Sequence, residues 1–175
     1  PHAPGVWALT FTYGQNLTGG LESFLRFRRK GAMPRRNKPT IRLLLVDDHE
    51  VLRLGLKTLF TDTEDIHVVG EAGTRVAAVS EANRLHPDVV LMDVRLPDGS
   101  GIDACREIRN TSPQTRVLFL TSFGDDDAVM ATIMAGAKGF LLKEISGEEL
   151  IRAVKTVAEG QSILDPATTE RVLTR

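Results

Sequence analysis

The sequence predicts an α/β protein, a doubly wound (βα)5 fold around a parallel sheet, on three observations. From Ile41 onward, short runs rich in Val, Leu and Ile alternate with longer segments of helical period. The runs IRLLLV, VVLM and VLFL are apolar on both faces, as strands covered by helices on two sides must be. Five such pairs fit between Ile41 and Glu159, with no internal repeat or low-complexity stretch.

In chain order, the first strand is Ile41–Val46 and the first helix Glu50–Phe60. The second strand, His67–Ala72, is less apolar than the others and reads as an edge; Arg75–Leu85 follows as a helix. Pro87 introduces the third strand, Asp88–Met92, and the helix Ile102–Asn110 comes next. Pro113 introduces the fourth strand, Arg116–Leu120. Asp125, Asp126 and Asp127 then begin the helix that runs to Ala135, where negative charge suits the N-terminal end of the dipole. The fifth strand is Gly139–Leu142. The last helix, Glu148–Glu159, has Ser146 and Glu149 at capping-box spacing and Gly160 as a stop. Leu150, Ile151, Val154 and Val157 form its apolar stripe. Cys105 reads as a small packed hydrophobe, and Met92, Met130 and Met134 as core filler.

Composition narrows the function. The apolar fraction of 42% can supply a core. Residues 1–39 carry seven Lys/Arg against Glu22, a local charge of +6, so with the whole chain at −1 the remainder holds −7. Such an acidic body is not built to grip nucleic acid by itself. The single cysteine excludes an intrachain disulfide and fits a cytoplasmic protein. No apolar run approaches the roughly 18 residues of a membrane helix, so no membrane association is expected. The basic cluster Arg26–Lys38 follows an apolar stretch instead of preceding it, which is not a signal-peptide pattern. Residues 1–39 are expected to be a disordered leader or a tag-derived segment, with Met33 as a natural start. In a cytoplasmic protein the sequon Asn16-Leu17-Thr18 carries no weight.

Chemistry enters where polar residues stop the strands. The first strand ends in Asp47-Asp48, the third in Asp93, the fourth in Thr121-Ser122 and the fifth in Lys143. In an open parallel sheet these ends share one edge, where ligands bind. Three carboxylates there repel one another unless cations intervene. Lys143 is one such cation, and a bound Mg²⁺ would be the other. This set suits phosphoryl transfer, in which a carboxylate can be the nucleophile. Each residue alone has a dull explanation: a solvated loop acid, a surface lysine, a turn-capping threonine. Their shared edge is what makes the set specific. His49 reads as a solvent-facing residue at a helix start.

The stretches LLLVDDHE, DVVLMDVRLPDGSG, LFLTS and AGAKGFLLKE closely resemble the receiver domain of two-component response regulators, over about Ile41 to Asp165. The spacings of 45 residues from Asp48 to Asp93 and 22 from Thr121 to Lys143 match that family. The resemblance implies a flavodoxin-like sheet of order 2-1-3-4-5, with a receiver at 40–165. It implies that Asp93 is the phosphoacceptor and that Mg²⁺ is held by Asp48 directly, by Asp47 largely through water, and by Asp93 and the Arg95 backbone carbonyl. Thr121 would hydrogen-bond the phosphoryl group and Lys143 would pair with it. Phe140 would be the aromatic that swings inward on activation. Pro97 and Gly101 would shape the loop after the acceptor, while Arg95 and Phe123 would occupy positions that influence phosphoryl lifetime. Many receivers carry a cis proline after the lysine; Glu144 stands here, which predicts a trans bond.

LVDDHEVLRLGL, VVGEAGT, LTSFGDD and the tail AVKTVAEGQSILDP are similar to the NarL/FixJ branch, whose members end in a LuxR-type helix-turn-helix. Residues 166–175 would then begin a linker to an output domain missing from this chain, through which DNA would be bound. The implied partners are a histidine kinase or a small phosphodonor, and a second copy in a phosphorylation-dependent homodimer. The expected role is a signalling switch that assists only its own phosphorylation and dephosphorylation, and no other enzyme activity. The alternative is a stand-alone receiver that acts by binding partner proteins. A phosphatase reading is weakened because Asp-x-Asp is absent from the first strand. A flavin-binding reading is weakened because Asp47 and Asp48 would repel the cofactor phosphate.

Overall fold

The computed structural model describes residues 40–122 and 126–163. The leader with Met33, the basic cluster and the sequon lie outside the described residues. So do Phe123, Asp125 and the 166–175 linker.

The strands are β1 (Ile41–Val46), β2 (Ile66–Ala72), β3 (Val89–Met92), β4 (Arg95–Leu96), β5 (Gly99–Ser100), β6 (Arg116–Thr121) and β7 (Gly139–Leu142). The helices are α1 (Glu50–Thr61), α2 (Arg75–Leu85), α3 (Gly101–Thr111), α4 (Asp126–Met134) and α5 (Gly147–Ala158). Five strands form one parallel sheet in the order β2-β1-β3-β6-β7. Counting only those strands, this is the expected 2-1-3-4-5, with the weakly apolar β2 at an edge. β1, β3 and β6 lie inside, as their two-sided apolar runs require.

Alternation along the strands divides the core into two layers. Leu44, Val46, Val90, Met92, Val117 and Phe119 face one side, where they pack with Ala78 and Ala82 of α2 and Ala104, Cys105 and Ile108 of α3. Leu43, Leu45, Val89, Leu91, Leu118 and Leu120 face the other, against Leu56 and Phe60 of α1 and Leu150, Val154 and Val157 of α5. Helices on both faces are what a parallel sheet needs to bury its residues.

The helix starts follow local chemistry. The Thr74 hydroxyl accepts from the Ala77 amide at α2, and Ser100 accepts from Ile102 at α3. Ser146 and Glu149 form the expected reciprocal capping box, which holds the Glu149 carboxyl below its usual range, and Gly160 adopts φ +91° beyond α5. After α5 the chain turns back to the sheet. The Ile163 amide donates to the Lys138 carbonyl at 2.7 Å, and Phe140 donates to the Ile163 carbonyl at 3.4 Å, beside β7.

Two features depart from expectation. The loop after β3 contains a small antiparallel hairpin, β4–β5, turning at Pro97-Asp98. The Asp98 carboxylate accepts from the amides of Arg75 (2.5 Å) and Val76 (3.0 Å), so this turn is fastened to the start of α2 and the Asp98 carboxyl is held below its usual value. In α4, Met130 and Met134 are not core filler: Val129 and Thr132 are the buried residues, and Met134 is 75% exposed. The two methionines are four apart and share a face pointing away from the sheet. Met92 is fully buried as expected, and the Cys105 thiol, buried in α3, donates to the Ala135 carbonyl at 3.6 Å.

Candidate functional site

The register of the sheet builds the site. Val46 pairs with Met92 and Met92 with Phe119, so Asp47 and Asp93 each emerge one residue beyond a matched pair. The Asp93 amide donates to the Val46 carbonyl at 2.8 Å and the Asp47 amide to Ala72 at 3.1 Å. Both aspartates are buried, at 5% and 4% exposure. On the other side, the Lys143 amide donates to the Thr121 carbonyl at 2.8 Å, which fixes where the lysine leaves the sheet.

Lys143 resolves part of the carboxylate crowding. Its Nζ lies 2.5 Å from Asp47 Oδ2 and 2.6 Å from Asp93 Oδ2. Burial drives the Lys143 pKa down, but the bonds to Asp47 and Asp93 outweigh it, leaving the ammonium more basic than an ordinary lysine. For Asp47, burial pushes the carboxyl up. The Lys143 ammonium and the bond from the His49 amide outweigh that and hold it below the usual carboxylate value.

Asp48 is the more exposed of the three acids. Ligand atoms of Asp47, Asp48, His49 and Asp93 all lie within 4.8 Å of one another. His49 Nδ1 is 3.0 Å from Asp47 Oδ1 and 2.9 Å from Asp48 Oδ1. Its side chain is exposed and stands at the start of α1, as expected, yet it belongs to the acidic cluster. Three convergent carboxylates form an oxygen-rich donor set able to hold a hard divalent cation. The donor chemistry therefore fits Mg²⁺.

The remaining predicted residues lie on β4, β6 and β7. Thr121, at the end of β6, is buried. The Arg95 amide approaches Asp93 Oδ1 at 3.4 Å, on the first strand of the hairpin. Phe140, in β7, is half-buried and packs against the core layer beneath α2 and α3. The Lys143–Glu144 bond is trans, as the absence of proline predicts.

Two further supports go beyond what the sequence indicated. Arg53, from α1, donates through Nη1 to the Asp47 backbone carbonyl at 2.5 Å, with Nε 3.8 Å from Glu71. Its signal was faint, since a lone helical arginine usually faces solvent. Gly101 sits directly under Asp93: a Cβ there would run into the Asp93 carbonyl and come within 3.1 Å of Met92 Cγ. Its place in DGSG marked it as a loop residue, not as the floor of the site.

Comparison with known proteins gives the family. Residues 43–155 match the response regulator receiver domain. The chain is 47% identical over 125 residues to the DNA-binding transcriptional activator DevR/DosR of Mycobacterium tuberculosis, covering 71% of this chain and 58% of that protein. It is 38% identical over 127 residues to the response regulator VraR of Staphylococcus aureus, covering 73% and 61%. It thus spans about three fifths of the length of these relatives. A LuxR-family two-component response regulator from Aurantimonas sp. superposes with a TM-score of 0.71 at 30% identity, over 77% of this chain and 96% of that one. By sequence, fold and the order of its strands, the chain belongs to the response regulator receiver family and is of the NarL/FixJ type.

Proposed function

We propose that Asp93 is the phosphoacceptor of this two-component receiver and that Thr121, Phe140 and Lys143 convert its phosphorylation into a change of shape. The observation that supports this most directly is the single Lys143 ammonium held between Asp47 and Asp93. It sets a positive charge against the Asp93 carboxylate, and a carboxylate oxygen is the nucleophile the reaction needs. In the transfer, an Asp93 oxygen attacks the phosphorus of a histidine kinase phosphohistidine or of a small phosphodonor. The bond from phosphorus to the donor breaks, and the leaving group departs with the electron pair. Asp47, Asp48, Asp93 and the Arg95 carbonyl are the groups that would hold Mg²⁺, which when bound neutralises charge on the phosphoryl oxygens. Lys143 and Thr121 then turn toward a group of about −1.5 to −2 charge, biasing an equilibrium already present in the domain.

Where a DNA-binding domain follows, this switch would govern its output. The relative DevR/DosR, described as a DNA-binding transcriptional activator, supports that reading. Phosphorylation-dependent pairing with a second copy is the matching proposal for how the signal is delivered. No helix of the described residues is long and apolar enough to cross a membrane, which suits a cytoplasmic switch. The direct test is incubation with acetyl phosphate, or with beryllofluoride, in the presence of Mg²⁺. The wild type should gain an adduct on Asp93, and Asp93→Asn should not; equal adducts on both would overturn the assignment.

A further inference from the structure

The edge of the sheet opposite Asp93 holds a second charged feature, of the other sign. A cavity of about 230 Å³ opens between the start of β6, the residues leading into β7, the last turn of α3 and Gly160 after α5. Arg109, Arg116 and Lys138 line it, and no acidic side chain does. We propose that this cavity is a binding site for a small phosphate-bearing anion, of the size of inorganic phosphate or pyrophosphate. The proposal stands independently of the phosphoacceptor reading.

Three observations carry it. All three cations are half-buried, not splayed into solvent, in a body whose overall charge is strongly negative. Neither Arg116 nor Lys138 forms an ion pair or a side-chain hydrogen bond among the described residues. Of the acids nearby, the Asp88 carboxylate accepts from the Arg42 amide, Glu107 pairs with Arg75 and Asp103 pairs with Arg106, while Glu159, next to Gly160, is exposed. Holding uncompensated cations together has an electrostatic cost, and an anion relieves it.

The site is also shaped. Arg109 is tied down by a bond to the Gly136 carbonyl, and Gly136, at φ +81°, has room for that guanidinium only because it lacks a Cβ. Arg116 lies over Gly160, where a Cβ would come within 3.6 Å of its Nη2. Two guanidinium groups offer forked donors suited to phosphoryl oxygens, and the lysine adds a point charge. The C-terminal ends of α3 and α5 face the same region. Arg109, however, bonds the Gly136 carbonyl, and no helix carbonyl takes Arg116 or Lys138. The volume falls below the roughly 300 Å³ at which pockets for drug-sized ligands begin, which suits a small anion.

The test is calorimetric titration of the full chain with inorganic phosphate and with pyrophosphate, in Mg²⁺-free, low-salt buffer, followed by amide chemical-shift mapping. Omitting Mg²⁺ leaves the Asp47–Asp93 cluster repelling anions. One site is expected, with shifts centred on Thr115, Arg116, Lys138 and Gly160. The double variant Arg116→Gln, Lys138→Gln should weaken binding by about tenfold or more, from the loss of two charge-assisted contacts. Gln114→Glu places a carboxylate on an exposed lining residue without touching the core, and should weaken binding while leaving the melting temperature unchanged. No binding, shifts confined to the Asp93 edge, or equal binding by wild type and Gln114→Glu would overturn the proposal. The last outcome would assign the heat to the basic residues of 1–39.

Discussion

The Lys143 ammonium lies 2.6 Å from the carboxylate of Asp93, fifty residues away along the chain, and is shared with Asp47. Removing it leaves two buried carboxylates facing each other. Lys143→Met should therefore destabilise the protein by roughly 1.5–3 kcal/mol near neutral pH, the range for hydrogen bonds to charged groups. Because the folded-state pKa of Asp47 is depressed, its stabilising contribution is full above the usual carboxylate value of 3.8 and is lost as pH falls through the lower folded value. The gap between wild type and variant, read by urea denaturation, should close as pH falls through that range.

Gly101→Ala tests the floor of the site. The added methyl must displace the Asp93 backbone or Met92, since their positions leave it no space. A loss of about 1–3 kcal/mol in urea unfolding is expected, as for other overpacked positions. If Asp93 is the phosphoacceptor as proposed, the same variant should phosphorylate more slowly, because the displaced backbone is that of Asp93. A variant as stable and as fast as wild type would mean that the loop adjusts freely.

Cys105 should be chemically quiet. Burial pushes its thiol up to about 11, against the opposing pull of Arg109 and Arg106. At pH 8 the native protein should react with a thiol reagent far more slowly than protein unfolded in urea. The linkage runs opposite to that of Asp47. The folded pKa lies above the ordinary value of 9.0, so the native state should lose stability between about 9.0 and about 11 as the unfolded chain ionises first. Cys105→Ala should remove that slope from a stability–pH curve.

Ser146→Ala removes the hydroxyl that accepts from the Glu149 amide at 3.3 Å and ends the capping box of α5. The expected cost is about 1 kcal/mol, seen as a lower thermal midpoint. Ser146→Thr should restore most of it, since its hydroxyl can both accept from the Glu149 amide and donate to the Glu149 carboxylate.

Much of this architecture was readable because it is written in long signals. Two-sided apolar runs identified β1, β3 and β6, and the residues that end them and β7 placed Asp47, Asp93, Thr121 and Lys143 on one edge before any distance was known. The β4–β5 hairpin was not readable, because strands of two residues carry no periodicity and what holds them is the remote bond from Asp98 to α2. Met130 and Met134 misled for a related reason. A short helix with apolar residues on several faces does not reveal which face is buried. The Arg53 contact with the Asp47 carbonyl depends on a rotamer and on the return of β2, and neither leaves a mark in the sequence.

The return of the chain to β7 at Ile163 has a consequence for solubility. β7 closes one side of the sheet, and Ile163 occupies the Lys138 carbonyl and the Phe140 amide on its outer flank. Unpaired backbone groups in such a row are a template for another molecule's strand. By laying its own backbone there, the protein caps the row from within. A form trimmed before Ile163 would bare that flank beside the exposed Leu142, inviting copies to add to one another strand by strand.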